Sequence, residues 1–329
     1  MSEHEGKPLR VLLTGATGFI GGWLLPALDA AGFSVRCLVR TGETLVVRTP
    51  LSRPPEVVAA DLLDASSLPA ALEGMDAAYY LVHSMGGRTI GEIDAFAERD
   101  RRAATHFLAA AKAAGVERII YLGGLGETGA KLSHHLASRL EVARILQSDP
   151  AVATTALRAA VIIGAGGASF ELLRYLVERL PVMTVPRWID TRCQPIAVDD
   201  VIGYLVGCLQ APATAGLSLD IGGPEITTYR GMMRTYARVR GLHRLIIPVP
   251  LLTPRLSAHW INLVTPVPAG VVYPLVEGLK NEVICRDTRI RELVPIALTS
   301  MDAAICAALA QITAGPGKLP SRQACFLDR

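Results

Sequence analysis

A glycine-rich turn near the start of the chain constrains the fold more than any other feature. Residues Thr14 to Gly21 read Thr-Gly-Ala-Thr-Gly-Phe-Ile-Gly, between one apolar run typical of a buried strand and another typical of a helix. In such a unit the glycines permit a tight turn, a close approach of the backbone to a pyrophosphate, and close packing of the helix on the strand. The free N–H groups of the helix N-terminus then bind the anion. The predicted dinucleotide-binding residues of this turn are Gly15, Thr17, Gly18, Phe19, Ile20 and Gly21.

Beyond the turn, short β-type runs alternate with Ala-rich helical runs. This pattern predicts an α/β fold, a doubly wound parallel (Rossmann) sheet with helices on both faces. The predicted strands cover residues 10–14, 34–39, 56–60, 77–82, 118–122 and 155–163. Helices predicted over 20–31, 65–72 and 96–114 each stop at a glycine, as expected for a left-handed C-cap.

The alternation weakens after Gly164, where Pro and Gly become dense. We therefore expect an NAD(P)-binding domain over residues 1–165, with a later return of the chain around 193–223. Residues 166–329 are expected to form mostly a smaller, irregular C-terminal lobe that holds or covers the substrate.

Charge and cysteine usage exclude several function classes. The 33 Lys and Arg against 30 Asp and Glu leave a net charge of +3 without a long basic block, which argues against a nucleic-acid partner. The six cysteines are far apart and form no Cys-x-x-Cys pair or Cys/His cluster, so neither a metal site nor a disulfide framework is predicted. The charged first ten residues do not read as a secretory signal, and a cytoplasmic location is expected.

Arg40 bears on the choice of cofactor. Folds of this type that select NAD carry an acidic residue about twenty positions after the glycine turn, where it accepts from the ribose 2′-hydroxyl. Here the second strand ends instead in Arg40, where a 2′-phosphate would lie. The sequence therefore predicts a preference for NADP(H), with NAD(H) as the alternative if Arg40 only caps a solvated strand end.

Several motifs together resemble the short-chain dehydrogenase/reductase superfamily, in its extended and atypical branch related to NAD(P)-dependent sugar epimerases and NmrA-like proteins. They are the Thr14–Gly21 turn, Asp61-Leu62 after the third strand, the strand that leads into His83-Ser84, Gln194 to Val201, and Ile221 to Pro224. The resemblance implies that Asp61 and Leu62 bracket the adenine. It also implies that Leu81, Val82 and His83 run beneath the cofactor ribose.

The chain departs from that superfamily at the catalytic positions. Members with the usual chemistry use a Ser after the fifth strand and a Tyr-x-x-x-Lys on the next helix. This sequence has Tyr121-Leu122-Gly123-Gly124 in place of the serine, and His135 and Arg139 where the Tyr and Lys would fall. A spacing of four puts His135 and Arg139 on one helix face, so a histidine acid/base beside a fixed cation is the predicted catalytic pair. The competing interpretation is an ordinary half-exposed helix.

Other polar residues near the expected cleft have two interpretations. Glu171 and Arg174, three residues apart, are expected to pair with each other. Arg192 or Gln194 would orient a substrate, or else belong to a loop packed on the sheet edge.

The residues support two classes of function. The first is an NAD(P)H-binding oxidoreductase, a reductase or isomerase, that acts on a small, largely apolar carbonyl or enone compound. The second is a non-catalytic NAD(P)-binding redox sensor, or an accessory or assembly protein of a respiratory complex, because the usual Ser, Tyr and Lys are missing.

An apolar stretch over residues 245–276 contains a single charged side chain, Arg255. Its prolines break any helix too often for a good membrane span. It is predicted to form core of the second lobe, a lid over a lipophilic substrate, a homodimer contact, or a peripheral contact with a bilayer.

Overall fold

The structure is a computed structural model that describes residues 8–83, 93–126, 132–249 and 265–314. The described strands, in chain order, are β1 (Arg10–Thr14), β2 (Ser34–Val39), β3 (Glu56–Ala59), β4 (Ala77–Tyr80), β5 (Arg118–Gly124), β6 (Ala153–Ala159), β7 (Ile162–Ile163), β8 (Val182–Pro186), β9 (Arg192–Cys193), β10 (Ile196–Ala197), β11 (Ser218–Ile221), β12 (Thr227–Thr228) and β13 (Leu245–Val249).

The described helices are α1 (Phe19–Ala30), α2 (Leu68–Leu72), α3 (Ile93–Ala113), α4 (His134–Leu146), α5 (Ala168–Arg179), α6 (Val198–Gln210), α7 (Tyr229–Val239), α8 (Ala269–Gly278), α9 (Ile290–Leu293) and α10 (Met301–Ala314). The three glycines predicted to end the first helices, Gly32, Gly74 and Gly115, have φ angles of 87°, 67° and 74°. These left-handed conformations are nearly free of steric cost only for glycine, so the helix ends follow from local sequence.

Seven strands form a central sheet in the order β11-β6-β5-β4-β1-β2-β3, and every pair in it is parallel. The predicted Rossmann-type α/β fold is thereby confirmed. The direction of the strand order reverses between β1 and β4, so a crevice opens there at the carboxyl ends of the strands. Open α/β sheets bind their ligands in such a crevice.

Apolar side chains divide the protein into three packed clusters. One sheet face packs against α1 and α6 through residues such as Leu24, Leu28 and Leu205. The other face packs against α2, α3 and α4 around Phe107. A third cluster lies outside the sheet, where α5, α7, α8 and α10 pack around Phe170.

The sixth strand departs from the prediction of one run over residues 155–163. β6 ends at Ala159, and the chain then leaves the sheet so that Ile162 and Ile163 pair with β10 as β7. The apolar run is continuous because both segments are buried, and apolarity does not record a change of direction. The bend at Ala160 and Val161 borders a large cavity.

The apolar stretch over 245–276 is divided. Its first five residues form β13, which pairs with β8, and its last residues belong to α8. Residues 250–264, including Arg255, lie outside the described residues. Among the described helices, none combines the length and the apolar character needed to cross a bilayer.

Candidate active site

The glycine turn has the geometry of an anion cradle. Gly15 has a φ of 69°, and the N–H of Gly18 donates to the Gly15 carbonyl over 2.9 Å. A Cβ atom at Gly21 would lie 2.1 Å from the Gly15 oxygen, so this position admits no side chain. Helix α1 begins after Gly18, whose residue type offers no side-chain cap to the first N–H groups. The turn therefore leaves donors and space for a phosphate group.

Thr14 joins the two strands that flank the crevice. Its hydroxyl donates to the carbonyl of Tyr79 over 2.9 Å and accepts from the N–H of Leu81 over 3.1 Å. Leu81, Val82 and His83 follow β4 and are half-buried at the same edge of the sheet. Ser84, the next residue, lies outside the described residues.

The end of the crevice near β2 and β3 holds both a cation and a carboxylate. Arg40 is exposed and forms an ion pair with Glu43. The other Glu43 oxygen accepts from the Thr17 hydroxyl over 3.4 Å. Sequence reasoning overlooked Glu43, because it follows Arg40 on a loop and stands outside the spacing expected of a ribose ligand. A carboxylate here can accept from a 2′-hydroxyl, and it opposes a 2′-phosphate.

Asp61 and Leu62 follow β3 at this same end. The Asp61 side chain accepts from the N–H of Leu63 over 2.9 Å and stays exposed. Leu62 is buried, and its carbonyl oxygen lies 3.2 Å from Nδ1 of His106. One Asp61 oxygen therefore stabilises the turn that follows β3, and the Leu62 side chain packs beneath that turn.

Arg48 is a further cation that no motif indicated. Its guanidinium carbon lies 5.1 Å from the ring centroid of Trp23 on α1, and a Cβ at Gly22 would lie 2.8 Å from its Nε. Burial lowers the pKa of Arg48. Within the part of the chain that the structure describes, no carboxylate pairs with it. Arg48 thus brings an unpaired charge beside the first turns of α1.

At the opposite end of the crevice, the charge of Arg139 acts on both His135 and His83. Ser133 caps α4, and its hydroxyl accepts from the N–H of Leu136. Burial, and then the charge of Arg139, lower the pKa of His135 to about 3. Burial also lowers the pKa of His83, with further contributions from Arg139 and His135. The two histidines are therefore neutral at physiological pH, and Arg139 carries the positive charge.

Arg139 is 8% exposed. Over residues 8–83, 93–126, 132–249 and 265–314, no carboxylate forms a salt bridge with its guanidinium. A buried carboxylate is nevertheless close by: Asp100 is 5% exposed and accepts from the hydroxyl of Ser138 over 3.1 Å. The charges of Asp100 and Arg139 both act on Tyr80 and Tyr121, so the positive charge of Arg139 lies in a mixed electrostatic environment.

Two glycines stand at the end of β5, where the superfamily has its serine. A Cβ at Gly123 would lie 2.7 Å from Cε1 of Tyr121, and one at Gly124 would lie 2.8 Å from Cδ2 of Leu136. Tyr121 is fixed in the core, where its hydroxyl donates to the carbonyl of Arg139 over 3.1 Å. A side chain at Gly123 would therefore meet the fixed Tyr121 ring, whereas one at Gly124 would meet the end of the Leu136 side chain, which borders the cavity.

An apolar cavity of about 430 Å³ begins at the carboxyl ends of β5 and β6 and extends between α5, β8, α7 and α8. Its wall at the sheet includes Gly124, Ala160 and His135. The remaining wall is mostly aliphatic, aromatic or sulfur-containing, with Leu172, Leu176, Met183, Val185, Trp188, Tyr229, Met232, Leu275 and Val283 among its residues. The Trp188 indole N–H is buried without a hydrogen-bond partner. Such a cavity accepts an apolar molecule and offers it few polar contacts.

The other polar candidates serve the fold. Arg174 pairs with Glu171 over 2.7 Å, as predicted, and Glu171 also accepts from the N–H of Gly166. Gln194 is buried; its amide donates to the Gly223 carbonyl over 2.7 Å and accepts from the Cys285 N–H over 3.0 Å. The packing interpretation of Gln194 therefore holds. Arg192 is exposed and lies 3.9 Å from Glu282.

Comparisons with known proteins agree with this geometry. A family model described as NAD(P)H-binding matches residues 15–162. The chain is 30% identical over 247 residues to an uncharacterised chloroplast protein of Arabidopsis thaliana, an alignment that covers 67% of this chain and 72% of that protein. It is 29% identical over 241 residues to ceramide reductase of Caulobacter vibrioides, covering 73% of each.

Solved structures share the fold. Triphenylmethane reductase of Citrobacter sp., complexed with NADP(H), superposes with a TM-score of 0.70 at 17% identity, over 91% of this chain and 100% of that one. Identity this low shows a common fold alone.

Proposed function

Because the chain belongs to the atypical, NAD(P)H-binding branch of the short-chain dehydrogenase/reductase superfamily, we propose that it is an NADP(H)-dependent reductase of small, largely apolar carbonyl or enone compounds. The observation that carries this proposal is the apolar cavity of about 430 Å³ that meets the sheet beside His135. A protein that only sensed a nucleotide would have no need of such a cavity.

The order of the strands supports one orientation of the bound cofactor in the crevice. The glycine turn after β1 fits a diphosphate, since it offers uncapped N–H groups and a space that a Cβ would fill. Arg40, Asp61 and Leu62 lie on the β2–β3 side of the turn and would hold the adenosine half. The nicotinamide half would then point toward β4 and β5, where the cavity begins.

The residues beside the cavity would orient the substrate rather than supply a strong acid. When bound, the reduced nicotinamide supplies the hydride. A neutral His135 can donate an N–H hydrogen bond to a carbonyl oxygen, and the nearby Arg139 charge would stabilise the oxygen that becomes negative as it receives electrons from the hydride. The proton that completes the product would come from solvent as the product leaves. The apolar wall excludes water from the reacting carbon.

The direct test is turnover of NADPH with matched carbonyl compounds. We expect oxidation of NADPH with lipophilic ketones, aldehydes or enones and none with polyhydroxylated carbonyls of equal size. His135→Asn and Arg139→Gln should each lower kcat about a hundredfold or more, because each removes stabilisation of the oxygen that becomes negative. His134→Asn, which changes the exposed neighbouring histidine, is the control and should keep full activity. Full turnover by both active-site variants would show that the chemistry lies elsewhere.

One observation favours the second candidate, a non-catalytic NAD(P)-binding sensor or accessory protein of a respiratory complex. The end of β5 carries Gly123 and Gly124 in place of the superfamily's catalytic serine, and α4 carries His135 and Arg139 in place of its tyrosine and lysine. That candidate predicts NADPH binding in calorimetry with no turnover of any carbonyl compound. Measurable turnover that depends on His135 would exclude it.

A further inference from the structure

A groove of about 690 Å³ lies between α7 and β13, away from the glycine turn. Its lining includes four basic residues, Arg234, Arg238, His243 and Arg244, and the described lining contains no carboxylate. The same lining includes the apolar Leu242, Leu245 and Ile246. Such a combination matches an anionic amphiphile, which has a charged headgroup and an apolar chain.

The positive charge of this groove is largely available to a ligand. Arg234 is exposed, and it forms no salt bridge within the described ranges. Arg244 donates to the backbone carbonyls of Val177 and Glu178, which orient its guanidinium without neutralising it. Arg238 pairs with Asp302, but both side chains are exposed, and such a pair is easily exchanged.

An apolar row continues from the groove onto the surface. Val182, Leu245 and Ile247 are 51%, 57% and 40% exposed, and the register of β8 with β13 puts Leu245 directly beside Val182. Because side chains alternate along a strand, the inward residues of β8, Met183 and Val185, line the apolar cavity. A single strand therefore separates the cavity from this surface.

From these observations we infer that the basic and apolar surface formed by α7, β8 and β13 docks on a bilayer that contains anionic phospholipid. The arginines would contact lipid phosphates while the apolar row enters the headgroup boundary. This docking is independent of the proposed reaction, although it would bring the cavity close to lipophilic compounds dissolved in the bilayer.

Co-sedimentation of the full chain with vesicles tests the inference. We expect binding to vesicles of phosphatidylcholine mixed with phosphatidylglycerol, little binding to phosphatidylcholine alone, and weaker binding as salt is added. Arg234→Glu combined with Arg238→Glu should weaken binding about tenfold or more, and Leu245→Glu should also weaken it.

Two matched controls separate docking from general effects. Val57→Glu changes an equally exposed valine on the edge strand β3, and Arg144→Glu changes an exposed arginine on α4; both should leave vesicle binding unchanged. Thermal unfolding of each variant verifies the fold.

Several outcomes would overturn the inference. Equal binding to neutral and anionic vesicles would remove the role of the arginines. Release by glycerol phosphate at concentrations similar to those of the lipid would make the groove a site for small anions. A dimer in light scattering that Leu245→Glu converts to a monomer, with no vesicle binding by the parent chain, would assign the surface to a second copy.

Discussion

In the proposed cofactor orientation, Arg40 and Glu43 favour different adenosine riboses. The guanidinium attracts a 2′-phosphate, whereas the carboxylate repels it and accepts from a 2′-hydroxyl. The two side chains form an exposed ion pair, which contributes only ~0–1 kcal/mol to folding, so a phosphate can displace Glu43 at little cost. Charge-assisted hydrogen bonds to a phosphate contribute roughly 1.5–3 kcal/mol, so the arginine should dominate.

We therefore predict tighter binding of NADPH than of NADH in calorimetric titration. Arg40→Ala should lower NADPH affinity about tenfold or more and leave NADH affinity nearly unchanged. Glu43→Gln should raise NADPH affinity, because it removes the repulsion and frees Arg40. Equal affinities in the parent chain, or an Arg40→Ala variant that still binds NADPH normally, would contradict this assignment.

Arg48 would act on the diphosphate rather than on the 2′-phosphate, since it lies beside the first turns of α1. Arg48→Ala should therefore lower the affinities for NADPH and for NADH by similar factors, about tenfold each. Arg53→Ala, on the same loop, provides the control. A loss of affinity for NADPH alone would instead indicate that Arg48 binds the 2′-phosphate.

His135 links pH to stability. Its pKa is about 3 in the folded chain and 6.5 in an unfolded one, so the unfolded state binds more protons between these values. The free energy of unfolding must therefore fall as the pH is lowered from about 6.5 toward 3. His135→Asn should flatten this fall and move the acid midpoint, followed by circular dichroism, to lower pH. An acid midpoint identical to that of the parent chain would show that burial of His135 does not control it.

At the scale of elements, α1 depends on its close approach to the turn before it. The space between Gly21 and the Gly15 carbonyl is smaller than a methyl group, so any side chain must push the helix away from β1. Such a shift misaligns the N–H groups that would hold the cofactor phosphates. Stability and cofactor affinity are thus coupled through one glycine.

Gly21→Ala is accordingly expected to cost about 1–3 kcal/mol of unfolding free energy in urea titration, with weaker binding of NADPH. Gly203→Ala is a matched control in the middle of α6, where the new Cβ would meet Ile296 at an ordinary 3.4 Å. Since Ala is favoured over Gly in helices by roughly 1 kcal/mol, this variant should be neutral or stabilised. Loss of stability in both variants would indicate a general intolerance of helix substitutions.

At the scale of the whole molecule, the cavity exists because the chain leaves the central sheet after β6. After the bend at Ala160 and Val161 the chain forms β7, which pairs with β10, and a separate apolar cluster packs around Phe170 outside the sheet. The cavity lies between that cluster and the sheet edge. Its size therefore depends on how α5, α7 and α8 pack, and its polar group beside the sheet is His135 of α4.

Filling the cavity should weaken substrate binding and leave cofactor binding unchanged. Val185→Phe adds a ring at an inward position of β8, and we expect KM for bulky lipophilic carbonyls to rise at least about tenfold while NADPH affinity stays constant. Val182→Phe, at the outward position of the same strand, should leave both unchanged in lipid-free assays. An unchanged KM in Val185→Phe would place the substrate elsewhere.

Local sequence was sufficient for the parallel sheet, the glycine turn and the glycine helix ends. Each of these depends on backbone freedom or on periodicity within a few neighbouring residues, and such properties are visible in a short window. The resemblance carried by separated motifs then supplied the family and its nucleotide-binding character.

Only the tertiary structure decided which distant side chains meet. The hydrogen bond of Thr17 to Glu43, the position of Arg48 beside Gly22, and the effect of the Arg139 charge on His83 and His135 all join different parts of the chain. The same applies to β6, since a buried apolar run looks alike whether it stays in the sheet or leaves it. Such contacts depend on how whole elements pack, and the pKa of His135 follows from that packing because burial, before any charge, sets its value.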